Sequence, residues 1–193
     1  MSGSAAMSST SSRGNLSSDM QARQLIRPSR EFAASYRSYV AEMKASGEKL
    51  IPFPLTYPHD DFEELVATLE DNSRGDGIPP EFVPHSTFWL LDGGEIVAVS
   101  NLRHSLTPAL KQRGGHVGYS VRPSCRRKGY GSLVLRLTLQ EARKLGIRTA
   151  LVTCAKDNVG SAMVIRANGG VLQSEEFLAE HGEMLQRYHV PVA

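Results

Sequence analysis

Three cations and two glycines fall within six consecutive positions, Arg126-Arg127-Lys128-Gly129-Tyr130-Gly131, where a strand ends and an amphipathic helix begins. Pro123 cannot donate to a ladder and closes the strand that contains Gly118-Tyr119-Ser120-Val121. Glycine lets backbone amides approach a ligand with no Cβ in the way. The first amides of a helix have no intrahelical acceptor and sit at the positive end of its dipole, so an anion is favoured there. Beyond Ser132, residues Val134, Leu135, Leu139, Ala142 and Leu145 form an apolar arc, with Arg136, Gln140, Arg143 and Lys144 opposite and Gly146 as a stop. The layout is one for binding phosphate. Taken alone it also suits a solvated basic turn, so the elements around it must decide.

Those elements are legible in order. Residues 1–20 are Ser/Gly-rich and have almost nothing to bury, so they are expected to form a flexible tail. A transit peptide is the alternative reading, with few basic residues to support it. A short strand is expected at Gln24–Arg27, then a helix capped by Ser29 and running to about Ala45 with Phe32, Tyr36, Tyr39, Val40 and Met43 at helical spacing. Three prolines between Ile51 and His59 mark an extended connector. A second helix covers about Asp60 to Leu69, and Asp71 to Pro80 reads as a loop. Ser86–Leu91 and Ile96–His104 flank the turn Asp92-Gly93-Gly94 as a hairpin. His116–Val121 is the strand feeding the basic turn. Arg148–Cys154 reads as a buried strand, a helix follows as far as about Asn168, and Val171–Phe177 with Met184–Val190 close the chain as a hairpin around Gly182.

Composition bounds the function. The 193 residues are 40% hydrophobic, enough for one full core. The formal net charge is only +2, so nothing suggests a nucleic-acid partner, and the basic cluster is local. No apolar run approaches the roughly 20 residues that span a bilayer, so no membrane role is expected. Cys125 and Cys154 form neither metal-ligand nor disulfide-framework spacing, and His59, His85, His181 and His189 supply no metal pattern either. A reducing, cytoplasmic location and no metal are the expectations.

Arg126-x-x-Gly129-x-Gly131 resembles the acyl-CoA pyrophosphate loop of the GNAT superfamily of N-acetyltransferases. The element order over residues 24–190, β-α-α-β-β-β-α-β-α-β-β, is similar to that fold: an α/β (α+β) domain with a mixed, mostly antiparallel central sheet and helices on both faces. A single acyltransferase domain over residues 21–193 is expected. Asn158-x-x-Ser161 resembles the family's Asn-x-x-Ala/Ser on the coenzyme side, although Asn158 also reads as a plain N-cap.

The resemblance implies direct transfer from acetyl-CoA to an amine in a ternary complex. The backbone of Tyr119 and Val121 would hold pantetheine and polarise the thioester, and amides of Arg126, Arg127, Lys128, Gly129, Tyr130, Gly131 and Ser132 would hold the pyrophosphate. An amide aimed at a developing oxyanion is worth about 3 kcal/mol. Many members carry a tyrosine seven residues after the motif asparagine. Here that position is Ile165, which leaves Tyr119, Ser161 or water as the acid. His116 is the candidate base, with His104 behind it, and Asn101 and Arg103 are candidates for substrate binding, Arg103 suiting a carboxylate. The acceptor is expected to be a small-molecule amine or a peptide, and the closing hairpin offers an edge for a homodimer. A non-catalytic acyl-CoA sensor is the alternative function, and a nucleotide-phosphate binder is a third.

Overall fold

The computed structural model describes residues 23–192. The tail expected at residues 1–20 lies outside them.

Two antiparallel sheets carry the molecule. The first has the order β1 (Arg23–Ile26), β2 (His85–Asp92), β3 (Glu95–Arg103), β4 (Val117–Val121). The second has the order β5 (Thr149–Ala155), β7 (Glu183–Pro191), β6 (Val171–Leu178). Helices α1 (Ala33–Ala45) and α2 (Phe62–Arg74) press Tyr36, Tyr39, Met43, Leu65 and Leu69 against Trp89 and Val99 on one face of the first sheet. Helix α4 (Tyr130–Lys144) covers the other face, with Val134 packed among Leu90 and Ala98. Its Leu135, Leu139 and Ala142 continue into a cluster with Phe88, Leu102 and Val117, and with Ala150 and Val152 of β5. Helix α5 (Val159–Ala167) adds Ala162 and Ile165 to that cluster. One helix therefore bridges both sheets, because its apolar arc is wide enough to serve two surfaces.

Several elements depart from the expected bounds. Helix α2 runs through Asp71–Arg74, where the polar residues read as a loop. Asn72 is buried and donates to Tyr57 Oη at 3.2 Å, and Gly75, with φ 86°, ends the helix. Ser29 makes no side-chain cap; it precedes a 3-10 turn, Arg30–Phe32, that leads into α1. Asp61 does cap α2, accepting from the amides of Glu63 and Glu64. Leu145 leaves the arc and is exposed just past the end of α4. A short helix α3 (Pro108–Gln112) appears where no element was expected, capped by the Thr107 hydroxyl and started by Pro108.

Candidate active site

Strands β4 and β5 belong to different sheets, and among the described residues the backbone bridge between them is the isolated one that joins Gly115, just ahead of β4, to Val152. There the His116 amide donates to Leu151 O at 2.7 Å, and the Leu151 amide donates to His116 Nδ1 at 2.9 Å. A Cβ on Gly115 would lie 2.3 Å from Leu151 O, and its φ is +61°, so this contact admits only glycine. Beyond the bridge no ladder links the strands. The register fixes what lines the gap. His116 O accepts from Arg103 N and Arg122 N donates to Val97 O, so alternate residues of β4 turn their backbone groups toward β3. The N–H and C=O of Val117, Tyr119 and Val121 consequently face the seam. Arg126 Nε reaches Val121 O at 3.3 Å. The Tyr119 side chain crosses to α5, its hydroxyl 3.0 Å from Ser161 Oγ. Burial pushes the Tyr119 pKa up to about 12, so the phenol keeps its proton. Asn158 Oδ1 accepts from the Ser161 amide at 2.9 Å, which is an N-cap bond.

At the open end of the seam, the basic turn divides its labour. The Arg126 amide closes a 3-10 turn onto Pro123 O, and its guanidinium is paired with Glu48 at 2.6 and 2.8 Å. No backbone carbonyl among the described residues accepts from the amides of 127–132, whereas Leu133 N already donates to Gly129 O. The donors available to an anion are therefore Arg127 to Ser132, one residue fewer than the sequence suggests, and the cations left to it are Arg127 and Lys128. Gly129 takes φ 85° with open space where a Cβ would stand. Gly131 has a different reason: a Cβ there would press Val164 Cγ2 at 3.0 Å, so it seats α4 against α5. The Tyr130 side chain turns inward and its hydroxyl donates to Asp92, leaving only its amide for the turn.

The opposite face of β4, toward α1 and the connector, carries His116, Gly118 and Ser120. Ser120 Oγ sits 2.8 Å from Tyr39 Oη, a contact that links α1 to β4. Asn101 lies opposite Gly118 on this face and is fully buried. Its Nδ2 donates to His85 Nδ1 at 2.9 Å and Thr87 Oγ1 at 3.2 Å, and Oδ1 has no partner. Arg103 donates to Gly114 O and Gly115 O at 3.3 and 3.0 Å, holding the turn before β4. His104 is bonded through Nε2 to Ser86 at 2.8 Å, on the α4 side and away from His116. Because His116 Nδ1 accepts the Leu151 amide, its neutral ring carries the proton on Nε2 and presents a donor. Burial, and then Arg103, hold its pKa below the ordinary histidine value.

His116 also lines a groove of about 480 Å³ with Leu106, Lys111, Leu151, Arg187 and His189. Leu106 and Lys111 were passed over in the sequence because α3 was. The Thr107-Pro108 pair is the signal that marks it.

Two sheets parting beside a basic, amide-rich turn fit the arrangement that the resemblance to acyl-CoA-dependent acyltransferases implies. The sequence model of the acetyltransferase (GNAT) family matches residues 48–169, and the chain belongs to that family. No curated protein sequence matches it. Among solved structures it is similar to RimL, a ribosomal L7/L12 alpha-N-protein acetyltransferase in complex with coenzyme A, with TM-score 0.65 and 20% identity over 89% of this chain and 94% of that one. An acetyl transferase from Salmonella typhimurium that modifies the N-terminal serine of 50S subunit protein L7/L12 gives 0.64 and 17%, over 89% and 96%. The microcin C7 self immunity acetyltransferase MccE, in complex with acetyl-CoA and AMP, gives 0.64 and 16%, over 89% and 93%. At these identities the likeness speaks to the fold. No helix among the described residues is long and apolar enough to cross a membrane.

Proposed function

We propose that this chain is an N-acetyltransferase that uses acetyl-CoA as co-substrate and moves its acetyl group directly to an amine. The observation that carries the reading is two sets of backbone donors without a backbone partner, the β4 edge at Tyr119 and Val121 and the amides of Arg127–Ser132, joined by a short segment whose amides are paired. That succession suits an extended amide-bearing arm ending in a pyrophosphate, with Arg127 and Lys128 beside it. Bound acetyl-CoA would supply an activated acetyl thioester. Tyr119 would donate a hydrogen bond to the leaving sulfur, oriented by Ser161, since Ile165 is fully buried in the core and has no proton to give. Asn158 would hold Ser161 in place. His116 would offer its Nε2–H at the acceptor end; it serves as base only if its ring releases Leu151. Arg103 and Asn101 act on the acceptor side by shaping the turn and the floor beneath it.

The acting unit is the domain over residues 21–193. It would work in the cytosol, where Cys125 and Cys154 stay free, as they are here. The exposed β6 edge, with Val171 and Phe177, is where two copies would meet.

Calorimetric titration with acetyl-CoA, CoA and ATP tests the reading. Micromolar binding of the two CoA species alone is expected, and Arg127→Glu with Lys128→Glu should weaken it about 100-fold through lost charge-assisted bonds. Absent binding, or binding of ATP alone, would overturn it. Thiol release across an amine panel separates the enzyme from a sensor, which would bind without turnover.

A further inference from the structure

The groove beside His116 differs from the rest of the surface in its charge. Its lining includes Lys111, Arg187, His116 and His189 over an apolar floor of Leu106 and Leu151, and no aspartate or glutamate is among the lining residues. Arg187 is fixed: its Nε donates to Gln112 O at 2.7 Å and its Nη1 to Ser174 Oγ at 3.4 Å. Its Nη2 is ion-paired with Glu176 at 2.8 Å, so Arg187 shapes the groove more than it charges it. Lys111, next to the Gln112 carbonyl that Arg187 holds, has no ion pair among the described residues. Glu183, nearby on β7, is paired with Arg113 at 2.8 Å.

We infer that this groove selects an acceptor amine that also carries a carboxylate, held by Lys111 with Arg187 fixed beside it, while the amine lies toward His116 and the seam. The inference rests on the acyltransferase reading for the fate of the amine, but the groove's preference for an anion can be measured without turnover. A volume of about 480 Å³ leaves room for more than one residue of a peptide, so the carboxylate can belong to a small amino acid or to an acidic side chain near a peptide's N-terminus.

The test uses acetylated probes in matched pairs: 4-acetamidobutyrate against 4-acetamidobutyramide, and an N-acetylated tripeptide amide with Glu at its second position against the same peptide with Gln. Calorimetry is run on the full chain, with and without CoA. At least one carboxylate member is expected to bind about tenfold more tightly than its neutral isostere, as a charge-assisted bond predicts. Whichever pair shows it names the source. Lys111→Glu should abolish the preference and Lys111→Arg should keep it, with acetyl-CoA affinity unchanged in both. Equal binding within both pairs, no binding by any probe, or a preference that survives Lys111→Glu overturns the inference. Should acetyl-CoA fail to bind while the preference persists, the acyltransfer reading falls and the groove assignment stands.

Discussion

The two sheets share antiparallel pairing but not cover. Strands β2 and β3 are buried almost from end to end, because α1 and α2 pack on one side and α4 on the other. The second sheet alternates. Ala150, Val152 and Tyr188 face α4 and α5, while Thr149, Leu151 and His189 face outward, and β6 is exposed along nearly its whole length. The difference teaches how the fold separates two tasks. On the proposed reading, the covered sheet would hold the strand and turn that need fixed backbone geometry, and the bare face of the other would leave a surface free to vary with the acceptor.

The sheets are joined by an isolated backbone bridge between Gly115 and Val152, and breaking that place should give the largest effect. Gly115→Ala puts a Cβ against Leu151 O in a left-handed conformation. A loss of about 3 kcal/mol or more is expected in urea unfolding, and wild-type stability in the variant would show that the sheets are not pinned there.

The next contrast lies inside the covered sheet. His85 is almost fully buried, and burial, with Arg103 and His104, holds its pKa at about 4. The unfolded chain protonates first as pH falls below about 6.5, so this contribution to stability is complete above that value and is lost as pH falls toward 4. The loss is at most about 3 kcal/mol. His116 and His104, also lowered, act in the same direction. Unfolding midpoints between pH 7 and pH 4.5 should fall in the wild type and fall less steeply in His85→Gln; parallel curves would remove His85 from the account.

The smallest effect sharpens the comparison at the seam. Tyr119→Phe removes the hydroxyl that meets Ser161. Turnover should drop about tenfold, as the loss of one hydrogen bond near 1.4 kcal/mol implies, while acetyl-CoA affinity stays nearly constant. An affinity loss of the same size would make the tyrosine a cofactor contact instead.

Much of this was legible in the sequence because the covered regions speak through periodicity. The β2–β3 hairpin, the arc of α4 and the strand before the basic turn were all readable from apolar spacing and turn residues. Periodicity alone does not show the split of the sheet, which only the family resemblance implies, since two strands flanking a helix read alike whether their seam is paired or open. Gly131 read as a ligand-side glycine because its true neighbour, Val164, is 33 positions away in sequence. Arg126 read as a phosphate cation until Glu48 was found against it. The groove was invisible for a related reason. Lys111, Arg187 and His116 come from three separate elements, and only tertiary structure brings them to one cavity.

The pair between Glu48 and Arg126 has one further consequence. Both side chains are more than a third exposed, so their attraction is worth no more than about 1 kcal/mol and is screened over roughly 8 Å at physiological ionic strength. Dissolved salt thus reaches the basic turn twice: it would compete with an anion bound there, and it loosens the segment that leads from α1 into the connector. The Tyr39–Ser120 contact, being neutral, is blind to it. Ionic strength is therefore a dial on how firmly the segment after α1 is braced to the basic turn, and that contact is tighter in dilute buffer than in brine.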